Sequence, residues 1–414
     1  MKIRRKKEIL LGSLFILFSL IYSLPPCWAV SGSDFEYHGY FRAGSGSTLH
    51  GGDQLCFQQP AIPGNEFRLG NECSIYGEAA LTAWHLKAAE PKPDYFKSNV
   101  RISYAPQGVT TNESLAPSLG LPEAYIEAGN LNGSPLSYWV GKRFYRDAYL
   151  NIDDFFYFAD ASGSGAGVKS IPTPLGGLDL AILTESGIGA LPVQYGRSRI
   201  LFFDARIFGV KITQTDLLDF WAGYGAVSGG NVTGGGSIPG ATGAVIGVKY
   251  DHQLKGGWNR ISLLRGSGVM QGLTLNGTFL GNPNPGNSYD TQNSAGRWRV
   301  VEDLSLQPFS FIGIQFAGIY ETWKTGSADS YSGKWTSLAI RPTYYINDYY
   351  SVDIEGGYSW VTLPGSDTTQ LTRVAIAPTI HIKPEILARP VLRIFLADTF
   401  GKETSYGVQG EVWF

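Results

Sequence analysis

Gly407-Val408-Gln409-Gly410-Glu411-Val412-Trp413-Phe414 ends the chain in a strict two-residue alternation. Successive strand side chains point to opposite sides, so Val408, Val412 and Phe414 share one face with Gly410. Gln409, Glu411 and Trp413 share the other. The same rule governs Phe35-Glu36-Tyr37-His38-Gly39-Tyr40-Phe41-Arg42-Ala43, where Phe35, Tyr37, Phe41 and Ala43 oppose Glu36, His38, Tyr40 and Arg42. A chain whose first and last strands are both half-apolar can pair them and leave no unsatisfied edge. Closure of that kind is how a β-sheet crosses a bilayer. The expectation is an all-β, antiparallel transmembrane β-barrel.

The N-terminus reads as an export signal. Lys2, Arg4, Arg5, Lys6 and Lys7 form a basic segment and Ile9 to Tyr22 an apolar run, followed by Pro25-Pro26 and the small-x-Ala site Cys27-Trp28-Ala29. The run is too short for a helix to cross about 30 Å of hydrocarbon. Cleavage near Ala29 would leave residues 30–414 as a single barrel domain. The whole chain has a net charge of −2, and the signal carries five cations and Glu8, so the mature chain is near −6. A mildly acidic chain without a basic block argues against nucleic acid as a partner. With 13% aromatic residues, 53 Gly and 16% charged residues, the composition suits a membrane barrel better than a soluble α/β enzyme. Export also makes Cys56 and Cys73 most simply a disulfide, closing a short loop at a gain of about 3 kcal/mol. No His cluster accompanies them, so no metal site is expected, and nothing implies a cofactor.

Alternating segments recur along the chain. In residues 72–81, Ile75, Ala79 and Leu81 oppose Glu72, Ser74, Tyr76 and Glu78; near 350–358, Val352 and Ile354 oppose Ser351, Asp353 and Glu355. Further runs lie near 94–105, 122–130, 136–145, 167–172, 177–185, 198–208, 209–215, 218–226, 242–251, 257–265, 297–305, 309–322, 333–345, 349–361, 368–382, 389–399 and 404–414. That makes 18 or 19 strands, and bacterial barrels favour even numbers, so 18 are expected. Tight turns such as Ile346-Asn347-Asp348 alternate with long Gly/Ser/Asn stretches at 185–197, 226–241 and 266–296.

Specific segments carry a family resemblance. His38-Gly39-Tyr40-Phe41-Arg42-Ala43-Gly44, Gly52-Asp53-Gln54-Leu55-Cys56-Phe57-Gln58 and Phe67-Arg68-Leu69-Gly70-Asn71-Glu72-Cys73 resemble the N-terminal region of maltoporins, the sugar-specific porins of Gram-negative outer membranes. Gly141-Lys142-Arg143-Phe144-Tyr145 resembles the strand entering that family's inward-folded third loop. Asp154-Phe155-Phe156-Tyr157-Phe158 and Ser162 to Gly167 look like the loop and its exit. Arg341-Pro342, Arg389-Pro390 and the C-terminus resemble late strands. The likeness spans the mature chain but is weak over 185–300. It implies an 18-stranded barrel in a homotrimer, embedded in outer-membrane lipid, with the third loop narrowing each pore.

The resemblance further implies a sugar path. Tyr40, Tyr76 and Trp413 match slide aromatics, and alternation independently turns all three toward the lumen. Arg42, Arg68 and Glu78 match polar-track positions. A pyranose presents apolar C–H faces to rings and a rim of hydroxyls to charged groups, so this mixture suits it. Arg146, Asp147, Asp154 and either Phe156 or Tyr157 match the constriction, with one extra residue near Ala159. The departures are equally specific. The loop over 105–121 lacks the family's Trp, Leu387 stands where a slide Trp is expected, and Ile246 falls near a slide Phe. Pro122 replaces an Arg, and Asp147 stands where the family has Arg, with Arg146 beside it.

Catalysis finds no support: His38, His50, His85, His252 and His381 sit in no nucleophile or zinc pattern. Ser162 to Gly167 lacks the Lys of a phosphate loop and reads as a hinge. The function expected is passive diffusion of maltose- or maltodextrin-like sugars, against a general pore or an adhesive surface barrel. Phe414 is expected to be the signal read by the barrel-assembly machinery.

Overall fold

The computed structural model describes residues 34–414 apart from 60–61, 63–65, 88–93, 107–116, 185–199, 229, 232–236, 239, 276–293, 325–331 and 364–365. The export segment 1–29 and most of the Trp-less loop fall outside the described residues, as do large parts of the long connectors.

One 18-stranded sheet closes on itself. Its strands are β1 (Phe35–Thr48), β2 (Tyr76–Lys87), β3 (Tyr95–Pro106), β4 (Pro117–Gly129), β5 (Ser137–Arg143), β6 (Gly163–Thr173), β7 (Gly176–Thr184), β8 (Leu201–Lys211) and β9 (Asp216–Val227). They continue as β10 (Ala241–Leu254), β11 (Gly257–Ser267), β12 (Gly296–Phe309), β13 (Ile312–Lys324), β14 (Ser332–Tyr345), β15 (Tyr350–Thr362), β16 (Thr368–His381), β17 (Val391–Thr399) and β18 (Glu403–Trp413). Each strand pairs antiparallel with its neighbour in the chain. The ring shuts where β1 meets β18, in a register running from Tyr40 opposite Trp413 to Thr48 opposite Ser405. Beyond that register, Gly39 and Phe414 exchange backbone hydrogen bonds of 2.8 and 3.1 Å. A side chain on Gly39 would meet the Phe414 ring at 2.3 Å, so the seam needs glycine there.

The alternation sorts the two faces as the sequence implies. Tyr37, Phe41, Ile340, Ile394, Val408 and Phe414 are exposed on the outside, while Arg42, Arg341, Arg393 and Gln409 are buried inside. An apolar exterior over a charged interior is the arrangement a bilayer demands. Among the described residues no helix is long and apolar enough to cross a membrane; the strands do the crossing.

Three expectations need correction. Residues 209–215 are not a separate strand: β8 continues past a bulge between Ile207 and Val210, and the chain turns back with Ile212 N–H donating to the Asp216 carbonyl at 2.9 Å. The strand placed over 72–81 begins at Tyr76, so Glu72 to Ile75 belong to a loop. The short strand near 167–172 is the longer β6, which makes Gly163 to Gly167 barrel wall rather than loop exit.

Among the described residues the β1–β2 and β5–β6 loops fold into the lumen, and residues 268–275 pack on the latter, with Leu275 N–H donating to the Asp160 carbonyl at 3.2 Å. The β1–β2 loop is closed by the Cys56–Cys73 disulfide. The β5–β6 loop, third on its side of the barrel, folds inward as a small hairpin of Asp147–Leu150 against Phe155–Phe158. They hold each other: Arg68 N–H donates to the Ile152 carbonyl at 3.0 Å, and Phe67 N–H to Asp153 Oδ1 at 3.2 Å. The Ala161 N–H returns to the Tyr145 carbonyl at 2.9 Å and pins the base of the third loop.

Ile340 lies mid-strand on the outer face. Ile340→Arg is expected to cost about 2–4 kcal/mol of folding free energy in lipid vesicles, measured by denaturant titration. A cost near zero would place that face away from hydrocarbon.

Candidate functional site

Cross-strand register assembles an aromatic run. Tyr40 on β1 lies opposite Trp413 on β18 and Glu78 on β2, and Tyr76 is its diagonal neighbour opposite Arg42. The Tyr40 and Trp413 rings stack with centroids 6.5 Å apart and planes at 27°; Tyr40 and Tyr76 are 6.0 Å apart. Arg389 lies over the Trp413 ring at 4.4 Å and Arg42 over Tyr76 at 5.5 Å. Trp413 keeps 37% of its surface open, at the end of the barrel where β1 begins and β18 ends.

Beside the rings runs a lattice of ion pairs. Arg42 donates to Glu72 at 2.8 Å and to Asp154 at 2.7 Å. Arg68 reaches Glu72 at 2.6 Å, Glu411 at 3.0 Å, the Tyr40 hydroxyl at 2.8 Å and the Tyr149 hydroxyl at 2.7 Å. Glu411 also receives Arg389 at 2.7 Å and Arg393 at 3.3 Å, and Arg393 extends the chain to Asp353. Glu78 accepts from the Tyr76 hydroxyl and from Arg101 at 2.9 Å.

The third loop faces this wall. Tyr149 and Phe156 are 4.8 Å apart, and Tyr149 donates to Asp154 at 2.8 Å. Arg68 and Arg42 hold the Asp154 carboxyl below the usual carboxylate range; burial opposes them and loses. Asp147 pairs with Lys249 of β10, which also binds Asp219 at 2.9 Å. Arg146 stacks between Phe144 and Phe156 at 3.9 and 3.5 Å. Rings, fixed charges and a loop-narrowed opening together make a lumen constriction suited to a polar ligand that also has apolar faces. Among the described residues no group of His, Cys, Asp and Glu could hold a metal ion.

A family comparison matches the LamB porin family across residues 35–414. The chain belongs to the LamB porin family. It is an outer-membrane porin of that family. Among solved structures it is similar to the outer membrane channel DcaP of Acinetobacter baumannii, at 12% identity and a TM-score of 0.51, over 93% of this chain and 99% of that one. It also resembles OmpT of Vibrio cholerae in its trimer form (8% identity, TM-score 0.47, covering 92% and 99%). OccD3 of Pseudomonas aeruginosa follows at 11% identity and 0.46, over 93% and 92%. At these identities the DcaP likeness supports the fold alone.

Within this LamB-family barrel the sequence-derived positions separate. Tyr40, Tyr76, Trp413, Arg42, Arg68, Glu78 and Asp154 form one connected set. Of the two constriction candidates, Phe156 is half-buried against Tyr149 and Arg146, whereas Tyr157 is 1% exposed. Ile246 is no slide position: it is 58% exposed on the outer face, and its inward neighbours are Val245 and Gly247. Leu387 sits in the β16–β17 turn and lines a small cavity with Arg389 and Ile386. Sequence reasoning missed Glu72, Tyr149, Lys249, Asp353 and the hub role of Glu411. Alternation signals Glu411 and Asp353 and sets Glu72 on the face of Tyr76 and Glu78, although Glu72 reaches the lumen from a loop; nothing local signals Tyr149.

Two outcomes follow from this geometry. Glu411→Ala leaves the buried Arg389 without a carboxylate and takes one partner each from Arg68 and Arg393, so barrel stability should fall by about 3–5 kcal/mol, read as a lowered temperature of heat-modifiable migration. An unchanged temperature would contradict the hub. Asp153 is enclosed, and its Oδ2 has no partner among the described residues. Burial, reinforced by Glu66, pushes its carboxyl well above the usual range. A carboxyl raised in the folded state loses stability as pH climbs above its unfolded value of about 4. Amide exchange at Phe67, corrected for intrinsic rate, should therefore be better protected at pH 4 than at pH 7. Asp153→Asn should remove that difference.

Proposed function

We propose that this porin is a passive saccharide channel, with Tyr40, Tyr76 and Trp413 as its sugar path and Arg42, Arg68, Glu78 and Asp154 as its polar track. The observation that carries the reading is the contiguous Trp413–Tyr40–Tyr76 ring series turned into the lumen beside fixed ion pairs. Arginines and carboxylates that already satisfy one another offer their remaining donor and acceptor positions to sugar hydroxyls without moving. Rings a few ångströms apart let a pyranose pass its weight from one to the next, so binding stays weak at each step. Arg146, Asp147 and Phe156 line the narrowest part, with Asp147 held by Lys249. No chemical step and no cofactor are involved. The family resemblance favours maltose-like oligosaccharides, a homotrimer, and recognition of Phe414 by the barrel-assembly machinery after signal removal.

A general, weakly selective pore on the same scaffold is the second reading. It is favoured by Leu387 and by the outward Ile246, which leave a shorter aromatic path than the family pattern.

Planar-bilayer conductance with maltotriose titrated in tests the proposal. Saturable block is expected, and Trp413→Ala should raise the half-saturation concentration about threefold to tenfold, the loss of roughly 0.5–1.5 kcal/mol of ring contact. Ion conductance read alongside confirms an intact pore. Unchanged affinity would remove Trp413 from the path, and no block by any sugar would leave the general pore.

A further inference from the structure

Arg146 differs from the other constriction cations. Arg42, Arg68, Arg101, Arg143 and Lys249 each pair with a carboxylate. Arg146 forms no ion pair or hydrogen bond with a described residue; its contacts are the Phe156 ring at 3.5 Å and the Phe144 ring at 3.9 Å. Two rings that close cannot share one face of so small a group, so they cover both faces. What stays open is the edge, where the N–H donors of a guanidinium lie in one plane. None of its nitrogens is among the enclosed, unpartnered polar atoms, so this edge meets water in the lumen.

The carboxylates that act most strongly on Arg146 are Asp160 and Glu78. Both are engaged. Asp160 Oδ1 accepts from the Ser162 N–H at 3.0 Å and its hydroxyl at 2.6 Å, and Glu78 is held by Tyr76 and Arg101. The neighbouring β2–β6 wall is also cation-rich: Lys97, Arg101, Arg143 and Lys169 face Glu78, Glu123 and Glu127. With Arg146 and Asp160 included, five cations face four carboxylates. A guanidinium clamped by rings, unpaired at its edge and set where cations outnumber carboxylates is preorganised for an oxyanion that accepts two N–H donors.

We propose that Arg146 is an oxyanion subsite that makes this channel favour acidic saccharides, those bearing a carboxylate, sulfate or phosphate. The inference rests on the saccharide-channel reading and deepens it. The acid group lies in the guanidinium plane and takes two N–H donors, replacing water. No bond forms or breaks. A neutral sugar offers only hydroxyls to the same edge, which give weaker bonds than a charged acceptor.

The test uses the intact protein in planar bilayers at about 0.1 M salt, where screening is limited. Block is titrated with trigalacturonate and with maltotriose, and the readout is the ratio of their half-saturation concentrations. The wild type should favour the acid about tenfold, Arg146→Gln should bring the ratio to about one, and Arg146→Lys should fall between, keeping charge without the fork. Glucose 6-phosphate, glucose 6-sulfate and inorganic phosphate distinguish the sources. Preference for the sugar esters over free phosphate supports a saccharide subsite. Equal block by free phosphate would overturn the saccharide assignment. A wild-type ratio near one, or a ratio that Arg146→Gln leaves intact, would overturn the inference while the sugar channel stands. Block by neither sugar would instead fail the channel reading itself.

Discussion

Glu411 receives three arginines from three directions: Arg68 from the first loop, Arg389 from the β16–β17 turn and Arg393 from β17. A lone carboxylate inside a low-dielectric wall would be costly, and so would each guanidinium. Brought together they satisfy one another, and the first loop must enter the barrel for that to happen. Its entry brings Glu72 to Arg42, and Arg42 then meets Asp154 of the third loop. One buried carboxylate on the last strand thus helps fix where both loops lie and how wide the lumen is. The strand that closes the barrel also anchors what narrows it.

The same lattice explains how a membrane pore can keep rigid polar walls. Arg42, Arg68, Arg389 and Arg393 each spend some N–H donors on a protein carboxylate and keep their planes fixed. Aromatic rings lie against guanidinium planes, as Trp413 does under Arg389 and Phe156 under Arg146. Stacking removes out-of-plane motion, and ion pairing removes rotation. A permeating molecule therefore meets a preformed surface and does not have to order flexible side chains.

Period-two alternation made the barrel legible, because lipid outside and water inside impose opposite polarity on successive residues of every strand. It put Tyr40, Tyr76 and Trp413 on one face of their strands, and the register sets their rings side by side. It could not separate a strand from its own continuation past a bulge, so 209–215 read as an extra element. It gave Glu72 the right side but the wrong element, because Glu72 to Ile75 belong to a loop folded into the lumen and not to the strand. Ile246 shows the limit of matching by resemblance where the match is weak: its own alternation, with Val248 and Tyr250 on the same face, points outward. Phe156 and Tyr157 could not be told apart, because the turn of the loop hairpin decides which ring faces the opening. The pairing of Asp147 with Lys249 joins residues far apart in sequence, and no local pattern announces it.

The central claim is that a sugar travels along the rings that the β18–β1–β2 register sets side by side. A crystal structure of the protein soaked in maltotriose tests it most directly. The account predicts pyranose faces within about 4 Å of the Trp413, Tyr40 and Tyr76 rings, with hydroxyls on the Arg42–Asp154 side. Sugar bound elsewhere in the lumen, or a lumen empty of sugar at a concentration that saturates block, would contradict it.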